Sequence, residues 1–346
     1  MALPLRKIVN VLISVFLVGV ASLFIYESIS RPRILIVHSY NSADPWVKDV
    51  NIGLMRVLEK KGSYSLRWQY MGLNNYPDAQ SRRTATNTVK QTIEEWKPNI
   101  LIAIDDEAQD LVARDYVNHP SIKVVFAGVE SDIIGYRYLG AQNVTGVIEL
   151  KPLMAYRNAL IEIAKLNNYG AAPLLFSIAD KSASANFDHT QIKSFDWKPM
   201  RLVDSVQVGT YDEWQEKILQ VGKQVDFIMI SSYRELARSA TDPKLVPPEE
   251  VVSWTEANTK VPVIGTSALN VEDGGSLAIG VSPFEQGQLA ARMALVIIDS
   301  NKNYDGVPVV TGQQFIVATR MEELKKKHIR IPAMYEAFAR AIGKNL

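Results

Sequence analysis

Four short apolar runs, each followed by an amphipathic stretch, open the folded part of this chain. "RILIVHS" (33–39), "YSLRWQYM" (64–71), "NILIAI" (99–104) and "KVVFAGV" (123–129) read as strands, with helices expected over 45–61, 79–96 and 107–116. In the first of these helices Val47, Val50, Leu54, Val57 and Leu58 recur at helical spacing. A strand that is apolar at every position has no wet face, so it belongs in a parallel sheet covered by helices on both sides. The alternation resumes near Lys151. A helix over 151–167 leads to "APLLFSIA" (172–179), a helix over 182–194 to "MRLVDSVQV" (200–208), one over 211–223 to "VDFIMIS" (225–231), and one over 248–258 to "VPVIGTS" (261–267).

Two doubly wound α/β lobes are therefore expected, with no sequence repeat between them. The tail adds an amphipathic helix over 282–299, the helix breaker "DGVP" (305–308) and a strand over 313–319. This implies a chain that passes between lobes more than once, which makes a hinge. The expected division is residues 31–150 joined by about 284–312 for the first lobe, and 151–283 joined by about 313–346 for the second.

Composition supports two cores: 346 residues are 47% hydrophobic. Lysine plus arginine total 38 against 37 acidic residues, so the basic excess that nucleic-acid binding needs is missing. There is no cysteine, which excludes disulfides, thiolate metal sites and a cysteine nucleophile. His38, His119, His189 and His328 form no helical pair, and neither a metal nor a cofactor is expected.

Arg6 and Lys7 precede an uncharged stretch, Ile8 to Tyr26, whose helix would be about 28 Å long and would span a bilayer. The basic flank should stay in the cytoplasm, so the rest of the chain is expected outside it, in a bacterium the periplasm. Residues 1–30 are read as a signal anchor or a signal peptide. The run is longer than a typical cleaved signal, although small-residue sites exist at Gly19/Ala21 and Ser28/Ser30.

"HSYNSADPWVKDVNIGL", "IAIDDEAQDLV", "VVFAGVESDIIGY" and "NVTGVIE", in this order and spacing, give the chain a likeness to a known family. Over roughly residues 33 to 330 it resembles the ABC-transporter substrate-binding proteins of type I periplasmic binding-protein fold, a family that includes aromatic amino-acid binders and extracellular sensor modules of some histidine kinases. The resemblance implies two lobes that close on a small solute, amino-acid-like in preference, and present it to an ABC permease or to a separate sensor protein. With no output module expected after the second lobe, signalling would need that separate partner.

In open parallel sheets ligands settle beyond the carboxyl ends of strands. At the first such end His38, Ser39, Tyr40 and Asn41 offer donors, acceptors and an aromatic face, and Trp46 a wall, although Asn41, Ser42 and Asp44 are also ordinary turn and cap residues. Asp105 and Asp106 follow the third strand, where they either cap a helix or receive an ammonium group. Gly128, Glu130, Ser131 and Glu149 complete the first rim. On the second lobe Tyr233, expected to be exposed, is the preferred contact; Arg234 either pairs with a ligand carboxylate or starts a solvated helix, and Lys181, Ser182 and Ser267 are lower-grade candidates. The alternative is an enzyme acting on a small polar substrate in the interlobe cleft. "GTSAL" is not a nucleophile elbow, and neither GxGxxG nor GxxxxGK[ST] occurs, so no enzymatic activity is expected.

Overall fold

The computed structural model describes residues 9–10, 12–20, 22, 31–62, 64–76, 78–130, 133–300 and 307–346. Strands β1 (Arg33–His38), β2 (Ser65–Tyr70), β3 (Ile100–Ile104), β4 (Lys123–Val129), β5 (Val144–Ile148) and β11 (Val310–Thr311) form one sheet in the order β11-β5-β4-β3-β1-β2. Strands β6 (Leu174–Ala179), β7 (Arg201–Gln207), β8 (Phe227–Ile230), β9 (Val263–Gly265), β10 (Leu277–Val281) and β12 (Phe315–Thr319) form the other, in the order β12-β10-β9-β8-β6-β7. Every pairing is parallel except that of β12 with β10. These are two doubly wound α/β lobes.

The side chains of β1 show why the run is apolar throughout. Leu35 and Val37 enter one core with Val89, Ile93 and Phe126, while Ile34 and Ile36 enter the core on the opposite face with Val50, Leu54 and Ala290. Each such burial stabilises by about 1.5–3 kcal/mol, so losing either covering layer would expose half the strand. The second sheet is likewise enclosed, by one core around Tyr156, Phe227 and Ile279 and another around Trp214, Ile228 and Val251.

The helix Pro283–Asp299 follows β10 of the second sheet in sequence but packs on the first, against the helix Pro45–Leu58. Gly53 and Gly287 allow that approach: a Cβ at Gly53 would lie 2.0 Å from the Phe284 carbonyl oxygen, and one at Gly287 2.1 Å from that of Val50. The chain then adds β11 to the first sheet and returns to the second with β12.

The helix expected over 107–116 is shorter. It runs Asp106–Leu111 and gives way at Val112, whose φ of −129° leaves the helical region, to a 3-10 turn, Ala113–Tyr116. The expected span 8–26 includes residues outside the described set; of the described ones, 9–10, 12–20 and 22 are helical. Among the described residues no helix is long and apolar enough to cross a membrane.

Candidate functional site

The loops after β1, β3, β4 and β5 face those after β6 and β8. Charges report the proximity: Glu107 of the first lobe acts on Glu235 of the second, and Asp44 on Arg234.

Asp105 is the centre of the first-lobe side. It follows β3 directly, with φ 69° and ψ 161°, a backbone region almost reserved for glycine, whose strain persists only where the surroundings hold it. Its N–H donates to the Ala127 carbonyl at 3.0 Å, and the Trp46 indole N–H donates to its Oδ1 at 2.7 Å. Gly128, itself at φ +65°, makes room, since a Cβ there would lie 3.0 Å from Oδ1 and 3.3 Å from the Trp46 ring. Oδ2 is buried and has no hydrogen-bond partner among the described residues. Burial, then the Glu107 charge, pushes the Asp105 carboxyl well above its ordinary range, with the Trp46 hydrogen bond opposing. A carboxyl held this way gains from a cation that supplies the missing partner.

Tyr40 stands beside it. Its hydroxyl donates to Glu107 Oε2 at 3.1 Å, and burial together with the charges of Asp105, Glu107 and Glu130 raises its pKa well above the usual value. Around the first crossing between lobes, Lys151 Nζ lies 2.6 Å from Glu130, 3.7 Å from Asp188 and 3.9 Å from Glu149. Burial alone would lower the Lys151 ammonium, but Asp188, Glu130 and Glu149 more than offset it and keep it protonated. Burial and the neighbouring Glu130 push Glu149 well up, and burial, opposed by Lys151, pushes Asp188 up to about 7. Acidic groups outnumber cations here.

The remaining expected residues divide between lining and support. Ser39 is fully buried, donating to the Ile104 carbonyl at 2.9 Å and accepting from the Ala108 N–H at 2.9 Å, so its hydroxyl fastens the end of β1 to the end of β3 and to the helix Asp106–Leu111. Asp106 accepts from the Glu130 N–H at 3.1 Å and from the Tyr136 hydroxyl at 2.7 Å, which ties the β3 and β4 loops together. Ser267 accepts from the Leu269 N–H at 3.3 Å, a local bond within the turn that precedes the short helix Leu269–Glu272. Ser131 lies outside the described residues. His38 faces the core, stacked on Tyr70 with ring centroids 5.2 Å apart, and burial holds its pKa down to about 4.

Tyr233 requires a correction. It is buried, not exposed: its ring belongs to the core with Trp214 and Leu236, and its hydroxyl donates to Asp273 Oδ2 at 2.5 Å. A tyrosine after a buried strand satisfies both its apolar body and its polar tip by turning inward when a carboxylate is within reach. Arg234 shares the same oxygen at 2.5 Å. The residues that the sequence did not single out are Glu107, Lys151, Tyr156 and Asp188. Only Glu107 carried a signal, as the third acid of "DDE".

No family model matches the chain, and no curated protein matches it in sequence. Solved structures do. A substrate-binding protein with adhesive properties from Clostridium difficile, in its ligand-free open form, aligns with a TM-score of 0.67 at 18% identity, covering 87% of this chain and 96% of its own. The ABC domain from Streptococcus pneumonia in complex with L-Trp aligns at 0.59 and 16%, covering 88% and 98%. A periplasmic ribose ABC transporter structure from Conexibacter woesei aligns at 0.52 and 12%, covering 91% and 96%. With the two sheets described above, these likenesses define the class: this chain has the type I periplasmic binding-protein fold.

Proposed function

We propose that the chain is a solute-binding protein that holds a small organic cation or zwitterion, amino-acid-like in preference, between its lobes, without acting on it as an enzyme. The observation that carries this reading is Asp105: a strained, buried carboxyl with one oxygen on Trp46 and the other without a partner among the described residues, in a cleft where acids exceed bases. Tyr40 and Trp46 flank it as aromatic surfaces, and a cation over such a ring gains about 0.5–2 kcal/mol. Asp106, Gly128, Glu130 and Glu149 shape and charge the same rim.

The fold relatives include one seen with L-Trp and one belonging to a ribose transporter, so ligand chemistry has to be read from this cleft's own residues. Their common role supports delivery of a solute to an ABC permease; the family resemblance of the sequence adds presentation to a separate sensor protein. The basic flank and apolar run of residues 6–26 support a location outside the cytoplasm, with the chain tethered by that run or released after cleavage. The three passages of the chain between sheets, after β5, after β10 and after β11, support closure about a hinge.

A thermal-shift screen of amines, amino acids, neutral sugars and dicarboxylates tests the reading, because a bound solute adds RT ln(1 + [L]/Kd) of stability. Amines or amino acids should raise the melting temperature. A response to neutral sugars or dicarboxylates alone would overturn it.

A further inference from the structure

Lys151 occupies a cage larger than neutralisation requires. One carboxylate would balance its charge, yet Glu130 and Glu149 of the first lobe and Asp188 on the second-lobe helix Ala183–Ser194 all lie within 4 Å of its ammonium, whose side chain is 7% exposed. The Tyr156 hydroxyl adds an independent sign of a ligand-sized polar site. It is fully buried, has no hydrogen-bond partner among the described residues, and lies in the field of Lys151, Asp188, Glu149 and Glu130. The cage adjoins the site around Asp105: Glu130 acts on Tyr40, and Asp105 on Glu149.

We propose that Lys151 is a built-in cation that fills the second of two adjoining acidic subsites, so that the cleft accepts solutes with one cationic group and rejects linear diamines. This rests on the reading of the cleft as a cation site and names its specificity. The second ammonium of a diamine anchored at Asp105 would have to enter a cage that already holds a like charge, or stay desolvated without a partner. With Lys151 truncated, three carboxylates and a tyrosine hydroxyl face a vacancy of ammonium size, suited to a group with three donors.

The test is calorimetric titration of the wild-type protein, Lys151→Ala and Lys151→Arg with linear monoamines and the matching diamines of increasing chain length. The wild type and Lys151→Arg should bind a monoamine and gain nothing from a second amine. Lys151→Ala should prefer the diamine by about ten- to a hundredfold, the range of one added charge-assisted hydrogen bond. Should Lys151→Ala fail to fold, Lys151→Ala combined with Glu149→Gln, which removes one of the repelling acids, is titrated instead and should show the same preference. An unchanged ratio of diamine to monoamine affinity in the truncated variant would overturn the proposal and leave the cation site standing. Absence of amine binding in every protein would overturn the cation site, and this proposal with it.

Discussion

The two lobes share a fold and treat their strand ends differently. On the second, the strand-end carboxylate Asp180 and the helix-end carboxylate Asp273 are engaged within the lobe. Asp180 accepts from Ser182 N–H and Oγ–H, from Ser232 Oγ–H and from the Glu235 N–H, and Asp273 accepts from Tyr233 and Arg234. On the first, Asp105 is strained, buried and half-partnered, and Glu107 has drawn Tyr40 to itself. Self-satisfied groups rigidify a loop; unsatisfied ones carry a standing penalty that a ligand can relieve. Under the proposed function, recognition of charge belongs to the first lobe and a covering role to the second.

The largest effect that can break this contrast is on stability. Tyr233→Ala removes a core ring and leaves Asp273 short of a donor, so it should destabilise the protein by about 3–5 kcal/mol in urea denaturation. A normal denaturation midpoint together with lost binding would instead make Tyr233 a ligand wall. Next comes Asp105→Asn, which keeps the shape and removes the group that can ionise against a cation. It should weaken an amine found by screening by about 1.5–3 kcal/mol, as read by calorimetry, while leaving the unliganded fold at least as stable at neutral pH.

The pH dependence sharpens the same point. Asp188 binds its proton more tightly in the folded chain, with a pKa of about 7 against an ordinary 3.8. Between those values the native state holds more protons than the unfolded one, so the ligand-free protein loses stability from this group as pH rises through the window. Burial raises it most, Lys151 opposes, and the facing charges of Glu130 and Asp180 add to the rise. His38, lowered to about 4 by burial, contributes the opposite slope between 4 and 6.5. The readout is therefore the difference in melting temperature between wild type and Asp188→Asn across pH, which should grow in favour of the variant toward pH 7. The smallest effect belongs to Lys344, whose ammonium lies 3.1 Å from Asp49 of the first lobe and 3.1 Å from Glu272 of the second. Lys344→Met should cost about 0.2–1 kcal/mol, less in high salt, because the pairs are partly exposed.

Much of the architecture was legible because parallel strands enclosed on both faces are written as continuous apolar runs, as in β1, β3 and β4. β5 and β10 were not among the expected strands: the apolar runs of "VTGVI" and "LAIGV" are interrupted by glycine. β11, two residues long, carries no periodicity at all. Within the site, Asp105 was visible as a strand-end acid. Lys151 and Asp188 were not, because they lie 37 residues apart and each sits within or at the start of an expected helix, where a charged residue is ordinarily solvated. Tyr233 misled for the same reason, since the Asp273 that draws it inward is 40 residues away.

The central claim is that the first lobe receives a cationic group at Asp105. A crystal structure with an amine or amino acid identified by the thermal screen tests it most directly. The account predicts the ligand nitrogen within about 3 Å of Asp105 Oδ2, with the Trp46 indole still on Oδ1. A bound ligand whose nitrogen contacts only second-lobe groups, with Oδ2 of Asp105 still unpartnered, would contradict it.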